Sequence, residues 1–259
     1  MPVDTDPEKD EQQEEPLHGQ MSFLDHLEEL RKRIINSLIA VAVALLACFS
    51  FADNIFNIVT VPIRKTGVEM IALKPTEPFN VQLKLALIAA LFLAAPFILA
   101  QVWLFISPGL YKHERRYAAP FVIFSWLLFI VGGMFGFFIA FPFALQFLMD
   151  MAKPINIVPR ISAAEYVDLF FVIELGLGIV FEIPAVIFVL ARMGLVSAGF
   201  LLRNTRYAIL LAFIVAAIIT PTTDMMNMMM MSVPMIGLYL IGVVIAFVFG
   251  KKRQKEPGD

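Results

Sequence analysis

The sequence predicts an all-α, polytopic membrane protein with six transmembrane helices and both termini in the cytoplasm. Three observations lead there. Of 259 residues, 59% are hydrophobic and 16% charged, and the mean hydropathy is +0.80, so most side chains need lipid rather than water around them. Six apolar runs recur along the chain, separated by connectors rich in Pro, Gly and charge. Fourteen Lys and Arg residues fall on the segments that would share one side and six on the other, an asymmetry that marks the first side as cytoplasmic.

Residues 1–20 hold seven acids against the single Lys9 and almost nothing apolar, which predicts a disordered, solvated tail rather than a signal peptide. Order is expected from Ser22, which with Asp25 makes a capping box. Phe23, Leu27, Leu30 and Ile34 then recur at helical spacing, predicting an amphipathic helix on the membrane surface that feeds the first span. Glu28–Lys32 and Glu29–Arg33 stand four apart and would support that helix by a few tenths of a kcal/mol each.

The first span is predicted from Ile34 to Ala52, held by the basic trio Arg31, Lys32 and Arg33 at its cytoplasmic end. Residues 53–84 read as a long outer loop with helical patches around 54–60, broken by Pro62 and by Pro75-Thr-Glu-Pro78-Phe79. Glu77 and Lys84 are expected there as a solvated, structural pair. The second span, 85–104, ends in the tight charged connector 105–116, where Pro108-Gly109 stops the helix and Glu114 stands among Lys112, Arg115 and Arg116.

The third span, 119–148, is long enough to tilt or to extend past the lipid on the outer side. Its Gly132 and Gly136 would admit a close neighbouring helix, and Phe141-Pro142 permits a kink. After an outer loop at 150–164, span four, 166–191, carries Glu174 and Glu182 inside apolar sequence. On an unbroken helix those two lie roughly 80° apart and about 12 Å along the axis. An ionisable group at that depth costs several kcal/mol unless it faces water or a partner. Span five, Tyr207–Thr220, is short, and its fourteen residues reach about 21 Å against an apolar core of roughly 30 Å. Thr220-Pro-Thr-Thr-Asp224 turns the chain outside, with Asp224 as a helix cap first and a functional group second. The Met-rich run 225–235 leads into span six, which ends near Phe249 ahead of a basic tail, 251–259.

Several function classes lose support at this level. A formal charge of −2 does not suit nucleic acid. The lone Cys48 permits neither an internal disulfide nor a Cys-based metal site, and His18, His26 and His113 lack ligand spacing. No phosphate-binding Gly-rich loop or zinc-protease signature occurs, and no cofactor is expected.

Six segments resemble one family. Phe105-Ile-Ser-Pro-Gly-Leu-Tyr-Lys-His-Glu-Arg-Arg116 is similar to the first cytosolic loop of TatC, the multispanning receptor subunit of the twin-arginine protein translocase. Pro75-Thr-Glu-Pro78-Phe79 followed by Lys84, Phe141-Pro142, Phe181-Glu-Ile-Pro184 and the Thr220-Pro221 turn with Asp224 follow the same family pattern. So does His26-Leu-Glu-Glu-Leu-Arg-Lys-Arg33, and the likeness covers residues 21–250 as one membrane domain. The resemblance implies a non-enzymatic receptor in the cytoplasmic membrane of a prokaryote or a thylakoid-type membrane. Its implied partners are twin-arginine signal peptides of folded cargo, single-span TatA and TatB-like subunits, other TatC copies and the lipid bilayer, with the proton-motive force as energy source. It also implies that Glu29, Arg31, Phe105 and Glu114 serve signal-peptide binding, and that Glu182 projects into a polar concavity within the membrane.

Physical chemistry gives that assignment a reason. Two carboxylates on the cytoplasmic face, Glu29 and Glu114, could each hold one guanidinium of an Arg-Arg pair, and the planar fork of Arg fits a carboxylate bidentately where Lys offers a point charge. A rival reading from another class is a proton-coupled small-solute transporter with Glu174 and Glu182 as proton carriers. The role of Glu174 stays open at this stage.

Overall fold

The computed structural model describes residues 23–106, 118–152, 160–220 and 224–250. The tails 1–20 and 251–259, Ser22 of the expected capping box and the connector with Glu114 lie outside the described residues.

Helix α1, Phe23–Phe49, runs for 27 residues without a Gly or Pro to interrupt it. The expected surface helix and first span are therefore one continuous rod of about 40 Å, because nothing in the backbone supplies a bend. Two short helices follow, α2 (Ala52–Val59) and α3 (Val61–Arg64), then the two-residue strand β1 (Met70–Ile71). Helix α4, Glu77–Ile106, begins eight residues earlier than the predicted span. Pro78 causes no break there, since in the first turn its missing N–H is one that would have found no partner in the helix. At 30 residues, about 45 Å, α4 reaches past the outer edge of the lipid.

The third crossing comprises α5 (Ala118–Phe135), a π-helical turn at Gly136–Ala140, and α6 (Phe141–Ala152). The Phe141 amide donates to the Gly136 carbonyl, five residues back, one residue before Pro142, which has no N–H to give. Strand β2 (Ile161–Ser162) pairs in parallel with β1, Met70 against Ile161 and Ile71 against Ser162. This small ladder, unforeseen in the sequence, stitches the two outer loops together without altering the all-α class.

The fourth crossing is broken in two, α7 (Ala163–Val180) and α8 (Ile183–Arg192), by a turn at Phe181-Glu182. Pro184 explains the break: it sits in the first turn of α8 and cannot donate to the carbonyl four residues back. The helix α9 (Ala198–Arg203) then leads into α10 (Thr205–Ile219), whose 15 residues span only about 22 Å, as the short apolar run predicted. The last helix, α11 (Met225–Phe249), absorbs the Met-rich run. Met231 and Met235 are buried, whereas Met225, Met226 and Met229 are exposed.

Five of the crossings are long and apolar enough to span a bilayer and α10 is the short sixth, so an even number of crossings returns the chain to the side where α1 began. Helix α4 packs against α1, α5 and α7; α8 and α10 pack against α11. In the most apolar window of the fourth crossing 56% of residues are buried, against 6% in α1, so the fourth crossing forms the axis and α1 lies at the lipid-facing edge. Around that axis Leu85, Phe141, Tyr166, Ile173, Leu177 and Met231 form the core.

On the outer side the expected Glu77–Lys84 pair is not formed. Glu77 is buried and gathers four donors: the Ser162 hydroxyl and the Ala164 amide at 2.8 Å on Oε1, and the Leu73 and Lys74 amides at 2.6 and 3.3 Å on Oε2. Lys84, two turns further along the same face of α4, bridges to Asp168 of α7 instead. Tyr166 adds a hydrogen bond from its hydroxyl to the Val59 carbonyl at 2.8 Å. The carboxylate thus serves as a joint between the first and second outer loops.

Candidate functional site

The cytoplasmic ends of α1 and α4 meet in a polar cluster. Glu29 and Arg33 lie one turn apart on α1, and Arg33 Nη2 donates to Glu29 Oε1 at 3.1 Å. The guanidinium also reaches α4, where Nη1 donates to Gln101 Oε1 at 3.2 Å. The expected Glu28–Lys32 bridge is not closed. Both partners of the Glu29–Arg33 bridge are shielded, with side chains 16% and 24% exposed, so solvent weakens it less than an open surface pair. Glu29 Oε2 and Arg33 Nε are buried with no hydrogen-bond partner among the described residues. One residue before the end of α4, Phe105 stacks on His26 of α1, ring centroids 4.4 Å apart and planes within 16°.

The cluster therefore unites Glu29 and Phe105, two of the four residues expected at the cytoplasmic site. Arg31 is directed elsewhere: two positions from Glu29 it turns about 200° around the helix, and it lines a separate hollow with Glu28 and Lys32. Glu114 lies outside the described residues. Sequence reading missed Gln101, His26 and the second bond of Arg33. A lone amide inside the apolar run 85–104 was the available sign for Gln101, since a polar side chain at such a helix end needs a partner.

Inside the membrane, Glu174 of α7 is 6% exposed and rests against the third crossing, where a Cβ at Gly136 of the π-helical turn would come within 2.6 Å of its Oε2. A Cβ at Gly132 would stand 2.8 Å from the Leu177 carbonyl oxygen, so the helix that this glycine pair admits is α7 of the same chain. Glu174 Oε2 is buried without a hydrogen-bond partner among the described residues. Glu182 lies in the turn between α7 and α8, half-buried, and Ser125 of α5 faces it without closing a bond of good geometry. Asp224 caps α11: its Oδ1 accepts from the Asn227 amide at 2.9 Å and its Oδ2 from the Asn227 side chain at 2.8 Å. Among the described residues, no cluster of His, Cys, Asp or Glu could hold a metal ion.

Six helical crossings with a polar cluster at one membrane face define a polytopic membrane protein. Residues 25–234 match the family model of the Sec-independent protein translocase protein TatC. The chain belongs to the TatC family. It is 49% identical to the Sec-independent protein translocase protein TatC of Koribacter versatilis over 94% of this chain and 91% of that one. Its identity to the Escherichia coli protein of the same name is 38%, over 90% and 92% of the two chains. A crystal structure of a twin-arginine translocase receptor TatC superposes with a TM-score of 0.75 at 37% identity, covering 85% of this chain and 97% of that one. A second, in the detergent DDM, gives 0.78. The family is a component of a protein translocase and not an enzyme, and its match decides against the small-solute transporter.

Proposed function

We propose that this chain is the receptor and core subunit of a twin-arginine translocase in the cytoplasmic membrane, reading the Arg-Arg motif of signal peptides on folded cargo. The observation that supports it best is the state of Glu29. At the membrane edge its Oε1 is held by Arg33, and its Oε2 is a buried acceptor with no partner among the described residues. A carboxylate held in place has little conformational entropy left to lose, so an incoming guanidinium finds an oriented acceptor in a medium of lowered dielectric. Glu114, on the connector that begins where α4 ends, supplies the second carboxylate, and Phe105 packs on the peptide beside them. Arg31 borders this site from the adjoining face of α1. Single-span TatA and TatB-like subunits and further TatC copies dock on the lipid-facing helices, Glu182 and Asp224 contribute on the translocation side, and the proton-motive force drives movement.

Photo-crosslinkers at His26 and His113, beside the two carboxylates, test the reading. A radiolabelled Arg-Arg signal peptide should label from both positions and a Lys-Lys peptide from neither. Equal labelling by both peptides would remove the carboxylate site.

A further inference from the structure

Two neighbouring hollows along α1 share Asn36 as a lining residue. The upper one, about 260 Å³, lies at the cytoplasmic surface and presents Arg31 and Lys32 with Glu28 at its rim. The lower, about 510 Å³, runs down between α1 and α4. On α1, Ala40, Ala44 and Ala47 share one helical face and are flanked by Ile39 and Val43, and Leu93, Ala94 and Phe97 close the hollow from α4. Ala44 and Ala94 are the buried floor, while Leu93 and Phe97 stand 60% and 45% exposed as one ridge. The short alanine side chains leave a channel that neither helix fills.

We propose that these neighbouring hollows bind one anionic phospholipid, with its phosphate between Arg31 and Lys32 and one acyl chain in the alanine channel. Three features select that occupant. The mouth carries two cations and one carboxylate, so it complements a headgroup of net charge −1. Glu28 suits a headgroup hydroxyl as donor, which matches phosphatidylglycerol. From Asn36 to Ala47 the channel runs eleven residues, about 16 Å, half of the roughly 30 Å apolar core. It ends at mid-membrane, where an acyl chain ends and a crossing helix does not. The like charge of Arg31 and Lys32 also disfavours the arginines of a signal peptide at this mouth, so the headgroup and the peptide's Arg-Arg pair use adjoining faces of α1.

Native mass spectrometry of the full chain, delipidated in detergent and titrated with phosphatidylglycerol, phosphatidylethanolamine or phosphatidylcholine, tests this without any signal peptide. Phosphatidylglycerol should form a 1:1 adduct at least tenfold more tightly than either zwitterionic lipid. The surface variant Arg31→Gln/Lys32→Gln should lose that preference. Ala47→Phe, which plugs the deep end of the channel at an exposed position, should weaken phosphatidylglycerol and phosphatidylcholine alike, with helix content by circular dichroism unchanged. Equal affinity for the three lipids, or adducts indifferent to both variants, overturns the proposal. So does a photo-crosslinker at Ala40 that captures the apolar segment of a signal peptide in phosphatidylglycerol vesicles in place of lipid.

Discussion

Arg33 stands 3.1 Å from Glu29 and 3.2 Å from Gln101, so a single guanidinium ties the acidic group of α1 to the facing helix α4. Removing either bond changes the orientation of the carboxylate as well as its charge. Glu29→Gln should lower crosslinking of an Arg-Arg peptide at least tenfold, about 1.4 kcal/mol or more, as expected for a charge-assisted contact. Arg33→Lys keeps the charge but cannot span both partners with one planar fork. It should weaken peptide binding less than Glu29→Gln does, and a double-mutant cycle on the two positions should return coupling of roughly 0.5–2 kcal/mol. Zero coupling would make the pair a bystander.

At the connector, Glu114→Ala should abolish export of a twin-arginine substrate while the protein still inserts and accumulates in the membrane. Unchanged export would remove Glu114 from the site.

The stacked ring of Phe105 should be needed as a ring. Phe105→Tyr keeps the 4.4 Å contact with His26, whereas Phe105→Ala loses it together with roughly 0.5–1.5 kcal/mol of aromatic pairing. Peptide crosslinking is expected to survive the first change and fall several-fold with the second. Equal losses would point to the hydroxyl-intolerant packing of the pocket instead.

Glu77 holds the outer side together through four donors from two loops. Glu77→Ala leaves those donors unsatisfied and should destabilise the chain by about 3 kcal/mol, read as a lowered thermal midpoint in detergent. Lys84→Ala, which breaks only a half-exposed bridge to Asp168, should cost less than about 1 kcal/mol.

Gly136 and Glu174 occupy each other's space. Gly136→Ala brings a methyl group to about 2.6 Å from Glu174 Oε2 and should destabilise by roughly 1–3 kcal/mol through overpacking. Shortening the carboxyl as well, in Gly136→Ala/Glu174→Ala, should recover most of that loss in the same thermal assay. Failure to recover would mean that the glycine is required for the π-helical turn that starts there rather than for the carboxyl.

Much of this was local information and was legible in the chain. The α10 helix was short because its apolar run was short, Asp224 capped α11 because an Asp precedes a helix-forming run, and Glu29–Arg33 closed because residues four apart share a helical face. Where reading failed, it failed at contacts between distant segments. Glu77 and Lys84, seven apart, suggested each other, yet their partners are 85 and 84 residues away on α7 and its lead-in. The break between α7 and α8 was missed because Pro184 was weighed as a motif residue and not as a lost amide donor.

By itself the sequence determined how many times the chain crosses the bilayer and which side its basic residues keep, because hydropathy and charge act along short stretches on each helix separately. Only the tertiary structure decided which polar groups meet. It turned Glu29 of α1 toward α4, stacked Phe105 of α4 on His26, left Arg31 on another face of α1, and brought Gln101 to Arg33 across 68 residues, because lateral helix packing, and not insertion, fixes the rotation of each helix about its axis.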